Sequence, residues 1–594
     1  MVEDYPPNSY ETITRARTTT LEGTPMKRYE RRLLLSTVAS VGFCVATVSA
    51  EAATCESLTS LNLPHVAITA AQTIPAGNYT AASGQTFSNL PTFCRVAATA
   101  TPTSQSDINF EVWMPPTGTW NGIFRGEGSG GSAGAITFPL MANAIQRNYA
   151  TMSNDNGHTG SNWSFSAQPE RVNDFGYRAQ HVTTLAAKAI IQSFYGKGSD
   201  FSYFYGCSQG GHHALMEAQR YPDDYDGIVA GAFAGIDWTA LMFGELWTGV
   251  NSSVKGPDYD LPQTQLNLLT NAVVAQCGRQ DGGVASDPFL NDPRDCHFDP
   301  STLQCKPGQD PSTCLTATQL QAVQAIYQGA SNPRTHQQIW PGFLPGSETF
   351  WREVLVGNPN APGGSSASFF KDGVFAGQSG FNYLNVNFDS DVALTNNKPA
   401  GSGETWQEAL DANDPYLGAF KRHGGKLLMY HGFADPFVTP LGSLDYYTAM
   451  IGANGHGQAA VKETQSFARL FMAPGVTHCG GGPGANVFNG PDNLGGPEDS
   501  DHDVFLALRQ WVEQGIPPKR IIGTKYVSDN PANGVAFTRP MCPYPQQSRY
   551  RGAGLTTDAA NFVCVTDEVD SNGPIIADFG RRETILGYAA LLFQ

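Results

Sequence analysis

Ser208 stands in Gly206-Cys207-Ser208-Gln209-Gly210, behind a strand-like run that carries Phe201, Tyr203, Phe204 and Tyr205 and ahead of a helix-compatible run ending near Tyr221-Pro222. Gly-x-Ser-x-Gly between a strand and a helix is the arrangement of a nucleophile elbow. Its glycines keep side chains away from the neighbouring strand and helix. The pentapeptide is short and the chain has 64 glycines, so a buried turn whose serine caps the helix is the alternative. A serine attacks a carbonyl only when a base takes its proton and an acid orients that base. In this arrangement the acid follows the serine in the chain and the histidine follows the acid. The apolar run Lys426 to His431 empties into Gly432-Phe433-Ala434-Asp435-Pro436, and the run Ser466 to Met472 leads to Pro474-Gly475-Val476-Thr477-His478-Cys479. Asp435 and His478, each on the loop after its strand, would lie at the same sheet edge as Ser208. Cys207 directly precedes the serine and Cys479 directly follows the histidine. A disulfide between them would bind the two loops together, the alternative being two unrelated core cysteines.

Other elements must hold these groups in place. Asp107 to Pro115 alternates as an early strand, with Ile108, Phe110, Val112 and Met114 on one face, and Trp120 to Arg125 forms another. Gly126-Glu127-Gly128-Ser129-Gly130-Gly131-Ser132-Ala133-Gly134 follows, without the Gly-Lys-Ser or Gly-Lys-Thr end that a phosphate loop needs. In a hydrolase this is the place for the second oxyanion donor, and a plain flexible loop is the alternative. Residues 174–194 suit a helix with Tyr177, Val182, Leu185 and Ile190 among its apolar positions. His158, near Asp155, precedes the serine and reads as a rim or turn residue. His181 reads as structural, and His212 and His213 fall in the helix behind the serine. From Gly235 to about Ala419 the strand–helix rhythm stops, in a stretch rich in Trp, Gly, Pro and Asn with four cysteines. An insertion at that point is positioned to cover the serine, and Trp238, Trp247, Trp351 and Phe381 are candidate wall residues, each with lid core as its alternative.

Taken together, Phe204-Tyr205-Gly206-Cys207-Ser208-Gln209-Gly210-Gly211, Gln219-Arg220-Tyr221-Pro222, Tyr225-Asp226-Gly227-Ile228-Val229-Ala230-Gly231, the acid loop and the histidine loop resemble the tannase and feruloyl esterase family of α/β-hydrolases, which includes mono(2-hydroxyethyl) terephthalate hydrolases. The likeness spans residues 55–570. It implies an α/β-hydrolase core with a large disulfide-containing lid insertion: core over 51–235, lid over 236–418, core again over 419–594. It implies Ser208, Asp435 and His478 as the triad, and Gly130 or Gly131 beside the backbone N–H of Gln209 as the oxyanion donors. Spacing and resemblance together suggest the bridges Cys55–Cys94, Cys207–Cys479, Cys277–Cys296, Cys305–Cys314 and Cys542–Cys564. The run from Cys277 to Asp287 resembles a structural calcium loop with Asp281 and Asp287 as ligands. It departs from the family pattern where Gly278 replaces an acid and Asp287 comes late; a disulfide-closed turn with solvated acids is the alternative. No catalytic metal or cofactor is implied.

Composition bounds the partners. The 594 residues carry a formal charge of −17, which argues against nucleic acid and anionic membranes, and a 41% hydrophobic content supports a large core. Residues 1–25 read as disordered or upstream of the true start; Met26 to Ala50 reads as a signal peptide, a retained anchor being the alternative. Its loss would remove Cys44 and leave ten cysteines, an even number that suits an exported, disulfide-bonded, secreted or periplasmic enzyme. The expected substrate is a small or polysaccharide-linked ester of an aromatic acid: hydroxycinnamoyl first, galloyl second, a terephthalate half-ester third. A peptidase and a non-catalytic binding protein on a hydrolase scaffold are the competing readings, with no stable membrane insertion in any of them.

Overall fold

The computed structural model describes residues 53–279, 281–352 and 356–566; the expected leader and signal peptide lie outside the described residues. Nine strands make one sheet: β1 (Val66–Ile74), β2 (Phe93–Ala100), β3 (Ile108–Met114), β4 (Ile123–Glu127), β5 (Ala150–Asn154), β6 (Phe201–Cys207), β7 (Gly227–Gly231), β8 (Lys426–Gly432) and β9 (Ala468–Ala473). Their spatial order is β1-β2-β3-β5-β4-β6-β7-β8-β9. The pairs β1–β2, β2–β3 and β3–β5 are antiparallel, and every pair from β5 onward is parallel. Every residue of β4, β5 and β7 is buried, because helices cover both faces of the parallel part. Only β7 is apolar throughout, since β4 and β5 also bury Arg125, Glu127, Thr151, Ser153 and Asn154; the carboxyl ends of β6, β8 and β9 open at one edge.

The helix expected over 174–194 forms with a change of phase. A five-residue π-helical turn, Asp174–Arg178, precedes α1 (Ala179–Tyr195). The extra residue per turn rotates the rest of the helix relative to a 3.6-residue repeat counted from Tyr177. Ile190 is buried as expected, but Leu185 points to solvent, 49% exposed, and Ala187, Ile191 and Phe194 take the inner face. The elbow helix α2 (Gln209–Arg220) follows β6 directly.

Between β7 and β8 lie α3 (Trp238–Val250), α4 (Gln263–Cys277), α5 (Ala317–Gln328) and a series of short turns. Leu266, Leu269, Val323, Phe343 and Trp351 form a cluster of their own. Trp238, Phe243 and Leu246 of α3 instead join the main core beside Trp163, Phe369 and Trp406. The stretch is pinned where it leaves and where it returns: Trp238 N donates to Asp411 Oδ1 (2.9 Å) and Ala412 N donates to Gly235 O (3.0 Å). All five cysteine pairs named above are formed. No helix among the described residues is long and apolar enough to cross a membrane.

Candidate active site

Ser208 closes β6 and opens α2 with φ 60° and ψ −122°, a backbone state that a non-glycine residue holds only when its surroundings enforce it. Three main-chain bonds do so: Ser208 N donates to Gly231 O (3.0 Å), and Ser208 O accepts from His212 N (3.0 Å) and Ala234 N (3.2 Å). The flanking glycines have steric reasons. A Cβ on Gly206 would strike Gly210 O, and one on Gly128 would strike the Gly210 Cα.

Ser208 Oγ donates to His478 Nε2 (2.8 Å), and His478 Nδ1 donates to Asp435 Oδ2 (2.7 Å). Asp435 is fully buried, and both its oxygens are occupied. Oδ1 accepts from Phe437 N (2.8 Å) and Val438 N (3.0 Å), while Oδ2 also accepts from His431 Nε2 (3.0 Å). Burial opposes its charge, yet the His478 charge and the bonds from both histidines hold the carboxyl well below the usual carboxylate range. For His478 burial likewise disfavours the cation, but Asp435's charge and hydrogen bond outweigh it and raise the imidazole above its ordinary 6.5. The acid and base loops are joined directly, through Ala434 N to Val476 O (2.9 Å). The Cys207–Cys479 bridge, with Cα atoms 6.0 Å apart, ties the serine strand to the histidine loop across 272 residues.

His431 escaped the sequence reading. It is fully buried, its Nδ1 accepting from Ser443 Oγ (2.6 Å) and its Nε2–H reaching Asp435 and Val438 O (3.0 Å). The available signal was a histidine in an apolar strand four residues before the acid. The other histidines are occupied away from the serine. His212 Nε2 donates to Leu410 O (2.7 Å), and His213 Nε2 donates to Phe175 O (3.2 Å). Burial lowers them to about 3 and about 4, so both stay neutral. His181 pairs with Asp224 (2.6 Å) and stacks on Tyr221. His158 Nε2 donates to Ser132 O (2.9 Å), and Asn156 Nδ2 donates to Ser129 Oγ (2.8 Å); together they brace the glycine loop.

That loop places Gly130 and Gly131 on the same cavity as Ser208 and Gln209. The backbone N–H of Gln209, first residue of α2, is among the helix donors with no intrahelical acceptor. The cavity holds about 510 Å³. One face of α3 supplies Trp238, Leu241, Met242 and Glu245 to its wall, the spacing of residues that share a helix side. Phe437 stacks near the His478 ring, centroids 5.0 Å apart, and Asp492 stands open to solvent beside Cys479.

Of the four expected wall residues only Trp238 lines this cavity. Trp247 packs on Phe388 and donates to Ala325 O (2.8 Å), Trp351 sits in the insertion's own cluster, and Phe381 stacks on Phe375. Asp281 and Asp287 are engaged by protein donors. Asp281 accepts from Gly283 N (3.1 Å) and Asn291 N (2.5 Å), and both oxygens of Asp287 lie 2.9 Å from Arg539 Nη2. Nitrogen donors on both carboxylates fit a turn closed by protein groups, and no step of the serine mechanism is routed through a metal. Among the described residues one cluster has metal-like spacing, Cys207, Cys479 and Asp492, but its two sulfurs are bonded to each other.

A serine on a strand–helix elbow, hydrogen-bonded through histidine to a buried aspartate at the carboxyl edge of a mainly parallel sheet, defines an α/β-hydrolase. Residues 94–565 match the model of the family described as tannase and feruloyl esterase. The chain belongs to that family and is an esterase. It is 39% identical over 555 residues to an uncharacterized esterase of Xanthomonas campestris pv. campestris, covering 90% of this chain and 95% of that one. It is 31% identical to "Probable feruloyl esterase B-2" of Aspergillus terreus, over 86% and 95% of the two chains. The crystal structure of feruloyl esterase B from Aspergillus oryzae superposes with a TM-score of 0.77 at 28% identity, over 86% of this chain and 99% of that one.

Proposed function

We propose that the protein is an exported serine esterase that cleaves esters of hydroxylated aromatic acids, hydroxycinnamoyl esters before galloyl esters. The observation that carries this reading is the Ser208–His478–Asp435 hydrogen-bonded chain opening on a cavity walled by Trp238, Leu241 and Met242. His478 takes the proton of Ser208 as its oxygen attacks the ester carbonyl, and Asp435 fixes the imidazole tautomer and stabilises the imidazolium. The N–H of Gln209 and a glycine N–H from Gly130 or Gly131 hold the oxyanion, each such donor worth roughly 3 to 4 kcal/mol. His478 then protonates the leaving alcohol, and water, deprotonated by the same imidazole, releases the acid.

The wall argues on acyl class. A flat apolar surface suits an aromatic ring. A terephthalate half-ester carries a second carboxylate, for which the described lining offers no lysine or arginine, only Glu245 and Asp492; it ranks last. Residues 236–418 act in this reading as the lid that supplies the wall, and five disulfides suit an oxidising compartment. The test is hydrolysis of methyl ferulate, methyl gallate and a terephthalate half-ester by oxidised protein and its Ser208→Ala variant. Turnover of the first two that falls on the order of 10⁶-fold in kcat in the variant is expected. A folded protein that cleaves none of the three, or one whose activity survives the substitution, would sink the proposal.

A further inference from the structure

Glu245 is the only charged residue in α3, whose other twelve positions are apolar, small or threonine. It is not turned outward, as a lone acid on an apolar helix ordinarily is. It lies two turns beyond Trp238 on the face that walls the cavity and is 5% exposed. Its carboxyl rests on the segment 364–366: Ser366 N donates to Oε2 (3.0 Å), and a Cβ at Gly364 would occupy the place of the carboxyl itself. Gly364 has φ +64°, so both the backbone state and the missing side chain make room for this group. Among the described residues no lysine or arginine is paired with it, and none lines the cavity. Burial pushes the carboxyl up to about 8, against the pull of the Ser366 and Ser365 N–H groups and of the His478 charge, so at neutral pH it is chiefly a neutral acid. A neutral carboxyl is both an O–H donor and an acceptor. A polar group placed in an enclosed apolar site costs stability unless a partner satisfies it.

Two acids border the cavity and they differ in setting. Asp492, beside Cys479 and the base loop, is open to solvent. Glu245 is buried on the α3 face that also carries Trp238, Leu241 and Met242, within electrostatic reach of His478. The alcohol half of an ester leaves past the histidine toward water, whereas the acyl half must lie against the apolar wall. We propose that Glu245 is the recognition residue for the phenolic hydroxyl of the acyl group, accepting from and donating to that oxygen on the α3 side of the cavity. The inference rests on the aromatic-ester reading above and adds what that reading leaves open, the residue that separates hydroxylated aromatic acids from unsubstituted ones.

The experiment reads a ratio, methyl 4-hydroxycinnamate over methyl cinnamate, in two ways. The first is kcat/KM for the wild type, Glu245→Gln and Glu245→Leu. The second is Kd for the same two esters by calorimetry in the Ser208→Ala background, with and without Glu245→Leu, which needs no turnover. The wild type is expected to favour the hydroxylated ester by at least about tenfold, because a site built to bond a hydroxyl rejects an analogue that lacks it. Glu245→Leu should remove most of that preference in both readouts. Glu245→Gln, which keeps a donor and an acceptor, should retain it within about threefold. A merely structural role, bracing Ser366, would change both esters alike and leave the ratio untouched; that result overturns the proposal. So does the absence of any preference in Kd when Glu245 is intact, a result that does not depend on the Glu245 variants folding. A ratio unchanged while preference between methyl and sugar alcohols shifts would place Glu245 on the leaving-group side and equally overturn it. Failure to hydrolyse either ester, with the Kd ratio falling as described, would instead refute the aromatic-esterase reading and leave the recognition role standing.

Discussion

The sheet edge bearing Ser208, Asp435 and His478 and the α3 face opposite it are built on different terms. At the edge, each group is fixed from several independent directions. Ser208 has three main-chain bonds, Asp435 has four donors on its two oxygens, and a disulfide joins the strand of one to the loop of the other. On the α3 side, apolar packing sets the position of Leu241 and Met242, and one polar group, Glu245, rests on a backbone N–H. Redundant directional bonds preserve one geometry, as charge development at fixed points requires. Non-directional packing holds a helix firmly while letting individual side chains change with little disturbance of the backbone. In the proposed reading, chemistry and selectivity are thereby separated in the molecule, so that one can vary without the other.

The separation makes graded predictions. Asp435→Asn attacks the most constrained point and is expected to lower kcat on the order of 10⁴-fold, with KM little changed, because the amide favours the wrong imidazole tautomer. The pH profile should move as well. His478 must be neutral to accept the serine proton, and Asp435 raises its pKa above 6.5, so wild-type kcat/KM should fall as pH drops through a value above 6.5. In the variant that acid limb should shift downward. An acid limb that stayed in place would mean that another group controls it and would undo the claim that the aspartate sets the histidine.

A smaller effect tests whether the edge is redundant. His431→Gln removes one of the two histidine donors on Asp435 but leaves those of Phe437 and Val438. An intermediate loss in kcat is expected, roughly 10- to 100-fold, smaller than for Asp435→Asn and without a change in the methyl 4-hydroxycinnamate over methyl cinnamate ratio. A shifted ratio would show that edge and wall are coupled and would break the contrast between them.

The same contrast explains what could be read from the chain. The hydrogen-bonded arrangement of Ser208, His478 and Asp435 was legible because each residue follows a largely apolar strand at the same edge, a relation set by local pattern and chain order. The fold class was legible for the same reason, and the five bridges followed from resemblance combined with spacing. The wall was not, because which side of a helix meets a cavity is settled by tertiary packing. Trp247, two residues past Glu245 on α3, turns to Phe388 and Ala325 rather than to the cavity. Periodicity from Trp238 held the needed hint, since 241, 242 and 245 complete one face, and the solitary acid among apolar residues was the stronger one. Leu185 shows the converse limit: five residues before buried Ile190 on the same regular helix, it faces roughly 140° away at 3.6 residues per turn and lies on the surface.

The smallest effect is expected farthest from the chemistry, at the loop between Cys277 and Asp287. The resemblance implies calcium there, and calcium takes six to eight oxygen ligands. In the folded chain Asp281 instead accepts two backbone N–H groups and Asp287 lies against the Arg539 guanidinium. An ion would have to displace Arg539 and turn both carboxylates, giving up charge-assisted bonds that already satisfy them. Chelator treatment of the oxidised protein should therefore shift the melting temperature by no more than about 1 °C, because an ion that is bound weakly contributes little by mass action. Arg539→Ala, which frees Asp287, should lower stability without restoring sensitivity to chelator. A site occupied at a hundredfold excess over its Kd would add about 2.7 kcal/mol and show as a clear drop on chelation, reversed by calcium but not by magnesium. That outcome would mean the loop trades its arginine for an ion, and that the insertion, like the catalytic edge, relies on directional bonds to hold its shape.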